Sequence, residues 1–186
     1  MDFQATFERA LPYHDFLARY GTEAHRERWR AVYERIRLTE AQRQMLSGAQ
    51  RRINLLCLAG TWCGDCVTQG PILQRMAEAG PEIRLRFADR DTEAPLQDEV
   101  MLNAGRRIPV VLFLSEDFQE CARYGDRTLA VYRRMAHERL GPSCPTGIVP
   151  PGPDQLADVT ADWLREFERV SLMLRLSPRL RALHGD

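Results

Sequence analysis

"INLLCLAGTWCGDCVTQGP", residues 53–71, is the stretch that decides the fold. It begins with a short apolar run that ends in glycine, which is typical of a β-strand covered on both faces. Helical periodicity follows over residues 64–79 and stops at "AGP". Cys63 and Cys66 stand where the strand gives way to the helix, so the sequence raises the question of what two cysteines at this junction do.

A Cys-x-x-Cys pair can be a redox couple, half of a metal site, or two ordinary small residues in a loop. A redox couple needs two sulfurs close enough to bridge and one thiol open to attack. The first turn of a helix meets both needs, because its unpaired N–H groups and dipole favour a thiolate there. Such settings lower a thiol pKa from about 8.5 toward roughly 3.5–7.5. As a redox couple, Cys63 would be the nucleophile and Cys66 the resolving thiol.

The metal alternative has little support in the sequence. A zinc site needs about four ligands, usually from two such cysteine pairs or from added histidines. The four histidines are scattered along the chain without metal-ligand spacing, at His14, His25, His137 and His184. We therefore predict that the pair does not bind a metal.

Overall charge and hydropathy argue against a nucleic-acid-binding, membrane-bound or secreted protein. The 26 basic residues, all arginine, balance 26 acidic ones, so nothing draws the whole protein to nucleic acid or to an anionic membrane. The N-terminus has acidic residues and no unbroken apolar core, unlike a secretory signal. No window approaches the roughly 18 apolar residues of a membrane span. The expected compartment is a reducing cytoplasm, where Cys-x-x-Cys is more often catalytic or metal-binding than a permanent bridge.

The rest of the chain predicts helices, then the order β-α-β-α-β-β-α, then a last helix. The predicted elements are helices within 3–48, a half-exposed strand at 82–88, a helix at 94–103, a buried strand at 108–115, and its hairpin partner in "FQECARY". We assign residues 1–50 to an N-terminal helical extension, 51–141 to an α/β core, and 142–186 to a Pro/Gly linker and C-terminal helix, all in one compact domain.

The C-terminal third begins with a helix that Asp126 is predicted to cap, followed by the linker at 141–154. The last helix carries an apolar stripe of Leu156, Val159, Trp163, Phe167, Val170 and Leu174. This stripe either packs on the core or, because its spacing approaches a heptad, forms a homodimer seam. The final "SPRLRALHGD" is expected to be a frayed tail or a docking peptide.

The central stretch resembles the thioredoxin family at several independent positions. They are Trp62 directly before the first cysteine, Pro71 five residues after the second, Pro109 at the start of a strand in "RIPVVLF", and Gly125 sixteen residues beyond that proline. The element order over 52–140 is also that of the family's minimal fold. The resemblance implies an α/β thioredoxin-like fold, with a central mixed β-sheet of about four strands flanked by helices and with added N- and C-terminal helices. We expect a bacterial member of this family.

The resemblance also implies a chemistry, and the flanking matches favour the dithiol over an inert pair. Cys63 would attack a partner's disulfide and Cys66 would resolve the mixed disulfide. Trp62 and the backbone at Ile108 and a cis Pro109 would hold the substrate, while Gly125 would let it approach closely. The implied partners are protein disulfides and an electron-donating reductase or low-molecular-weight thiol, with no cofactor beyond the reversible Cys63–Cys66 disulfide.

Two departures from the family pattern affect the proton chemistry. The inner pair is Gly64–Asp65 rather than Gly-Pro, and Cys57 stands where the family has a buried acid. Asp65 or water could then accept the proton of the resolving thiol, although a carboxylate in the first turn also simply stabilises a helix. Cys57 is either a small buried hydrophobe or a third redox-active sulfur.

Two further cysteines and one rival function remain. Cys121 on the second hairpin strand is expected to be structural, and Cys144 in the linker to be accessible. The rival to an oxidoreductase is a non-catalytic binding or scaffold module, or a redox sensor, dedicated to one partner. The helical additions at both ends favour that alternative, because they could cover one face of the fold.

Overall fold

The computed structural model describes residues 1–140 and 153–186, so most of the predicted linker, including Cys144, lies outside the described residues. The described helices are α1 (Phe3–Arg9), α2 (Tyr13–Tyr20), α3 (Glu23–Tyr33), α4 (Glu40–Ser47), α5 (Gly64–Ala79), α6 (Ala94–Glu99), α7 (Leu129–Leu140), α8 (Gln155–Leu176) and α9 (Pro178–His184). The strands are β1 (Ile53–Ala59), β2 (Ile83–Asp89), β3 (Val110–Leu114) and β4 (Glu120–Gly125). None of these helices combines the length and apolar composition that a membrane span requires.

The four strands form one mixed sheet in the order β2-β1-β3-β4. β1 runs parallel to β2 and antiparallel to β3, and β3 and β4 form the predicted hairpin. Every residue of β1 and β3 is buried, because these are the inner strands of the sheet. The predicted α/β thioredoxin-like architecture is confirmed.

The outer strand β2 is half-exposed, as its alternation predicts. Ile83 and Phe87 are buried, whereas Arg84 between them is exposed. Leu11 pairs with the outer edge of β2. Its N–H donates to the carbonyl of Phe87 at 2.9 Å, and its carbonyl accepts from the N–H of Phe87 at 2.7 Å. The N-terminal segment is therefore not helical throughout, because a single β-bridge interrupts it between α1 and α2.

The N-terminal helices share their core with the sheet. The rings of Tyr13, Phe16 and Trp29 lie within 6.0 Å of the ring of Phe87, measured between centroids. Trp29 also packs on α5, where a methyl group at Gly70 would come within 2.1 Å of its ring. This close approach explains why α5 has a glycine at position 70, where it faces Trp29 of α3.

The helix predicted at 94–103 ends early, at Glu99. Asn103 and Ala104 adopt positive φ angles of 48° and 55°, and Leu102 and Gly105 close a tight turn with two mutual hydrogen bonds. Val100 already departs from helical angles, with φ at −104° and ψ at 22°, and the positive φ that follows cannot continue a right-handed helix, so the apolar pattern over-predicted the helix length.

The predicted helix cap at Asp126 is wrong. The N-terminal amide of α7 at Ala130 donates instead to the carboxylate of Asp162 on α8, at 2.7 Å. Asp126 lies too far before the helix and directs its carboxylate to the hydroxyl of Tyr132, at 2.5 Å, and to the guanidinium of Arg107. A cap supplied by another element leaves no local sequence pattern.

The C-terminal stripe packs on the core. Trp163 and Phe167 lie against Phe113 of β3, with ring centroids 6.3 and 5.3 Å away. The final residues form the ordered helix α9, whose Leu180 is fully buried, so the expectation of a frayed tail is wrong. Several large apolar side chains of α8 and α9 stay exposed: Leu172, Met173, Leu176 and Leu183. A homodimer through this region stays a prediction.

Candidate active site

The two motif cysteines occupy different environments at the start of α5. Cys63 is the N-cap residue, with extended backbone angles, and its side chain is half-buried. Its N–H donates to the carbonyl of Gly60 at 3.1 Å. Cys66 lies in the first turn and is completely buried. The two cysteines are 3.5 Å apart without a disulfide between them.

The environments give the two thiols opposite acidities. The hydrogen bond from the Cys66 thiol is the main cause that lowers the pKa of Cys63 to about 6, and backbone N–H groups of Cys66 and Asp65 add to it. Burial and the negative charge of Asp65 act in the opposite direction. Burial and its hydrogen bond to Cys63 raise the pKa of Cys66 well above the ordinary value. At neutral pH the site therefore holds a thiolate at Cys63 and a thiol at Cys66.

Trp62 forms the exposed rim next to Cys63. Its side chain is 45% exposed, and its indole N–H donates to the carboxylate of Asp91 at 3.3 Å. The guanidinium of Arg90 lies 5.6 Å from the centre of its ring. The ring passes close to the backbone at Gly60, where an added methyl group would stand 3.0 Å from it.

The loop before β3 faces the pair from the other side. The Ile108–Pro109 peptide bond is cis, which confirms that prediction. The carbonyl oxygen of Ile108 lies 3.9 Å from the sulfur of Cys63. Gly125 has a φ of +150°, and a methyl group there would come within 2.2 Å of the Pro109 carbonyl oxygen. This glycine is therefore required by contact within the chain itself, whatever a partner needs.

The N-terminal helices hold the loop that carries the motif. Trp29 donates its indole N–H to the carbonyl of Thr61 at 2.9 Å. The hydroxyl of Thr61 donates to the carbonyl of Tyr20 at 3.1 Å and lies 3.2 Å from Nδ1 of His25. Sequence reasoning missed these contacts, because no short-range pattern links α3 to a loop that lies beyond α4 and β1.

Charged residues next to Gly125 form a second part of the site that the sequence did not predict. Arg127 pairs with Asp65 at 2.7 Å and also with the buried carboxylate of Asp126 at 3.1 Å. Asp126 in turn accepts from Arg107, two residues before Pro109. In the sequence, the position of Asp126 and Arg127 directly after Gly125 was the signal that could have indicated their place in the site.

Behind the pair, the site is closed by buried residues. Cys57 lies in β1 fully buried, and burial is the main cause that raises the pKa of its thiol. Pro71 is buried inside α5. Gln69 on the same helix donates to the Asp126 carbonyl at 2.9 Å and accepts from the indole of Trp163 at 3.2 Å. The C-terminal helix α8 thus supports the site from below.

The remaining sequence expectations concern metals and the other cysteines. Cys121 is half-buried on β4, and burial raises the pKa of its thiol. Within residues 1–140 and 153–186, no three His, Cys, Asp or Glu side chains are grouped as a metal site.

Comparisons with known proteins place this geometry in a family. A thioredoxin family model matches residues 10–139, so the match includes most of the N-terminal helices as well as the core. A protein of unknown function from Pseudomonas aeruginosa has a similar structure, with a TM-score of 0.71 at 19% identity over 91% of this chain and 96% of that one. An HIV epitope scaffold is similar with a TM-score of 0.65 at 22% identity, over 90% and 99% of the two chains.

Both structural likenesses are at low sequence identity and support the fold alone. No curated protein sequence matches the chain. The family model covers well over half of the residues, and the sheet order, the cis proline and the helix-capping cysteine fit it. The chain belongs to the thioredoxin family.

Proposed function

We propose that this protein exchanges thiols and disulfides with protein partners through Cys63 and Cys66, as a disulfide reductase in a reducing cytoplasm. The observation that carries the proposal is the asymmetry of the pair. Cys63 is half-exposed with a pKa of about 6, whereas Cys66 is buried with a raised pKa. A nucleophilic thiol that is ionised beside a protonated resolving thiol is the arrangement that exchange requires.

The reaction transfers two electrons from the Cys63–Cys66 dithiol to the disulfide of the partner. The Cys63 thiolate attacks one sulfur of the partner's disulfide, which forms a mixed disulfide and releases the partner's other sulfur as a thiolate. Cys66 then loses its proton and attacks the Cys63 sulfur. The mixed disulfide breaks, the Cys63–Cys66 disulfide forms, and the partner leaves with both sulfurs reduced. A reductase or a low-molecular-weight thiol must return the two electrons.

Docking is proposed to use the surface around Cys63. The exposed ring of Trp62 and the backbone at Ile108 and Pro109 flank the sulfur, and an extended partner segment could lie between them. Gly125 is proposed to keep this groove open, although its contact with Pro109 already requires a glycine.

The proton of Cys66 needs an acceptor, since Cys57 stands where the family has a buried acid. The carboxylate of Asp65 is engaged by Arg127 at 2.7 Å. We therefore favour water, which reaches the site once the partner's thiolate departs, over Asp65 as the acceptor.

The alternative is a binding module or redox sensor that does not turn over. The helical additions would favour it if they covered the pair. In the described residues they instead hold the motif loop through Trp29 and support α5 through Trp163, while Trp62 stays exposed. These contacts support exchange over permanent masking.

The test is reduction of insulin disulfides by the protein with dithiothreitol as electron donor. We expect turnover that Cys63→Ser abolishes and that Cys121→Ser, a matched change outside the motif, leaves unchanged. Cys66→Ser should trap a mixed disulfide with the substrate. If the folded protein, with Cys63 in its reduced form, reduces insulin no faster than dithiothreitol alone does, the result would favour the redox-sensor alternative.

A further inference from the structure

The side chain of Arg127 links the motif to the buried floor of the site. One of its nitrogens lies 2.7 Å from a carboxylate oxygen of Asp65, inside the Cys-Gly-Asp-Cys loop. Another donates to the carboxylate of Asp126 at 3.1 Å. The guanidinium therefore spans two carboxylates that belong to different elements, the start of α5 and the turn after β4.

Asp126 gives Arg127 a rigid anchor. Its side chain is 6% exposed and accepts hydrogen bonds from Tyr132, Arg107 and Arg127. Burial alone would raise the pKa of Asp126, but the hydrogen bonds from Tyr132 and Arg107 outweigh it and hold that pKa below the ordinary value. A carboxylate that stays ionised and buried keeps its arginine partners in one place.

The charge of Asp65 works against the thiolate next to it. A carboxylate two residues from Cys63 repels a negative sulfur, and its charge opposes the ionisation of that thiol. Asp65 is only about a quarter exposed, so solvent screens this repulsion incompletely. A positive charge held beside the Asp65 carboxylate would offset this repulsion.

We propose that Arg127 is a positioning residue of the dithiol, which holds the Asp65 carboxylate on the buried Asp126 anchor and offsets its charge beside the Cys63 sulfur. The inference rests on the proposed function only in taking Cys63 as the nucleophile. Arg127 lies two residues after Gly125, so the turn that closes against Pro109 also brings the counter-charge to the motif.

The test measures the fraction of Cys63 thiolate by ultraviolet absorbance at pH 6 and low ionic strength, as the difference from the Cys63→Ser background. In the unchanged protein about half of Cys63 should be ionised. Arg127→Gln should reduce this fraction by about two- to fivefold. Arg127→Lys, which keeps the charge, should stay close to the unchanged protein. Asp65→Asn combined with Arg127→Gln should restore the fraction to within about twofold.

Arg169→Gln is the matched control, because Arg169 also pairs with an acid, at 2.6 Å, but on the exposed part of α8. It should leave the thiolate fraction unchanged. An unchanged fraction in folded Arg127→Gln would overturn the proposal, and so would a double variant that stays as low as Arg127→Gln alone. If Arg127→Gln does not fold, Asp65→Asn and the double variant still decide, because the proposal requires a larger fraction in Asp65→Asn, which keeps the charge of Arg127, than in the double variant, and equal fractions in the two would overturn it. The absorbance needs no turnover, so failure of the insulin assay would count against the proposed function and not against this inference.

Discussion

Trp29 donates its indole N–H to the carbonyl of Thr61 at 2.9 Å, two residues before Cys63. The tryptophan is fully buried and lies against Gly70 of α5. One side chain of the N-terminal helices thus fixes both the motif loop and the helix that follows it. The N-terminal helices therefore support the loop that carries the two cysteines, although they contribute no residue of the Cys-x-x-Cys motif itself.

Trp29→Phe should destabilise the protein by about 1–3 kcal/mol, because it leaves the Thr61 carbonyl without its buried donor. Urea denaturation followed by circular dichroism measures the change. Trp62→Phe is the matched control, since Trp62 is exposed and its replacement should change the free energy of unfolding by less than about 0.5 kcal/mol. Equal effects of the two variants would show that the Thr61 contact contributes little.

Gly125→Ala should destabilise the protein by about 1–3 kcal/mol or more, because the added methyl group meets the Pro109 carbonyl at 2.2 Å and φ is +150°. Gly64→Ala provides the contrast. No atom lies within 4 Å of a methyl group there, and alanine favours a helix start over glycine. We expect a neutral or slightly stabilising effect by thermal unfolding. A folded, fully stable Gly125→Ala variant would contradict the contact with Pro109.

Alkylation of Cys63 by iodoacetamide should follow a titration with a midpoint near pH 6, while Cys66 stays unlabelled at neutral pH. Brief labelling and peptide mass mapping separate the two sites. Equal labelling of both cysteines at neutral pH would exclude the proposed nucleophile.

The same pKa shift affects stability. The pKa of Cys63 is lower in the folded protein than the ordinary thiol value of about 8.5, so its contribution to stability is complete above that value and is lost as the pH falls through about 6. The reduced protein should therefore gain stability between pH 6 and 9 relative to Cys63→Ser. Urea unfolding midpoints of the two proteins, measured across this pH range, test the direction of the change. Midpoints that depend on pH in the same way in both proteins would contradict it.

Asp65→Asn should lower the pKa of Cys63 and make the reduction potential less negative. Removing the negative charge favours the thiolate, and a favoured thiolate stabilises the reduced form. A change of one pKa unit corresponds to about 1.4 kcal/mol, or about 30 mV for a two-electron couple, which is the upper limit we expect. A glutathione redox titration measures the potential. If the pKa rises or does not move, Asp65 acts only as a helix-start residue.

Much of the framework follows from local sequence. The apolar run of β1, the helical period of α5 and the alternation in β2 each depend on neighbouring residues, and each element lies within a residue or two of its prediction. The positions of Cys63 and Cys66 at the start of α5 could also be predicted locally, because the change from strand to helix periodicity places the first cysteine at the N-cap and the second in the first turn.

The rest was decided by tertiary packing. The ion pair of Arg127 with Asp65, the cap of α7 by Asp162, and the bond from Trp29 to Thr61 each join elements that are distant along the chain. A side-chain hydrogen bond or ion pair needs only proximity and a matching donor and acceptor, so it imposes no period on the sequence. Such partners become defined only when the sheet and its helices have brought them together, which is why the Cys-x-x-Cys pair could be located from the sequence whereas the residues that contact it could not.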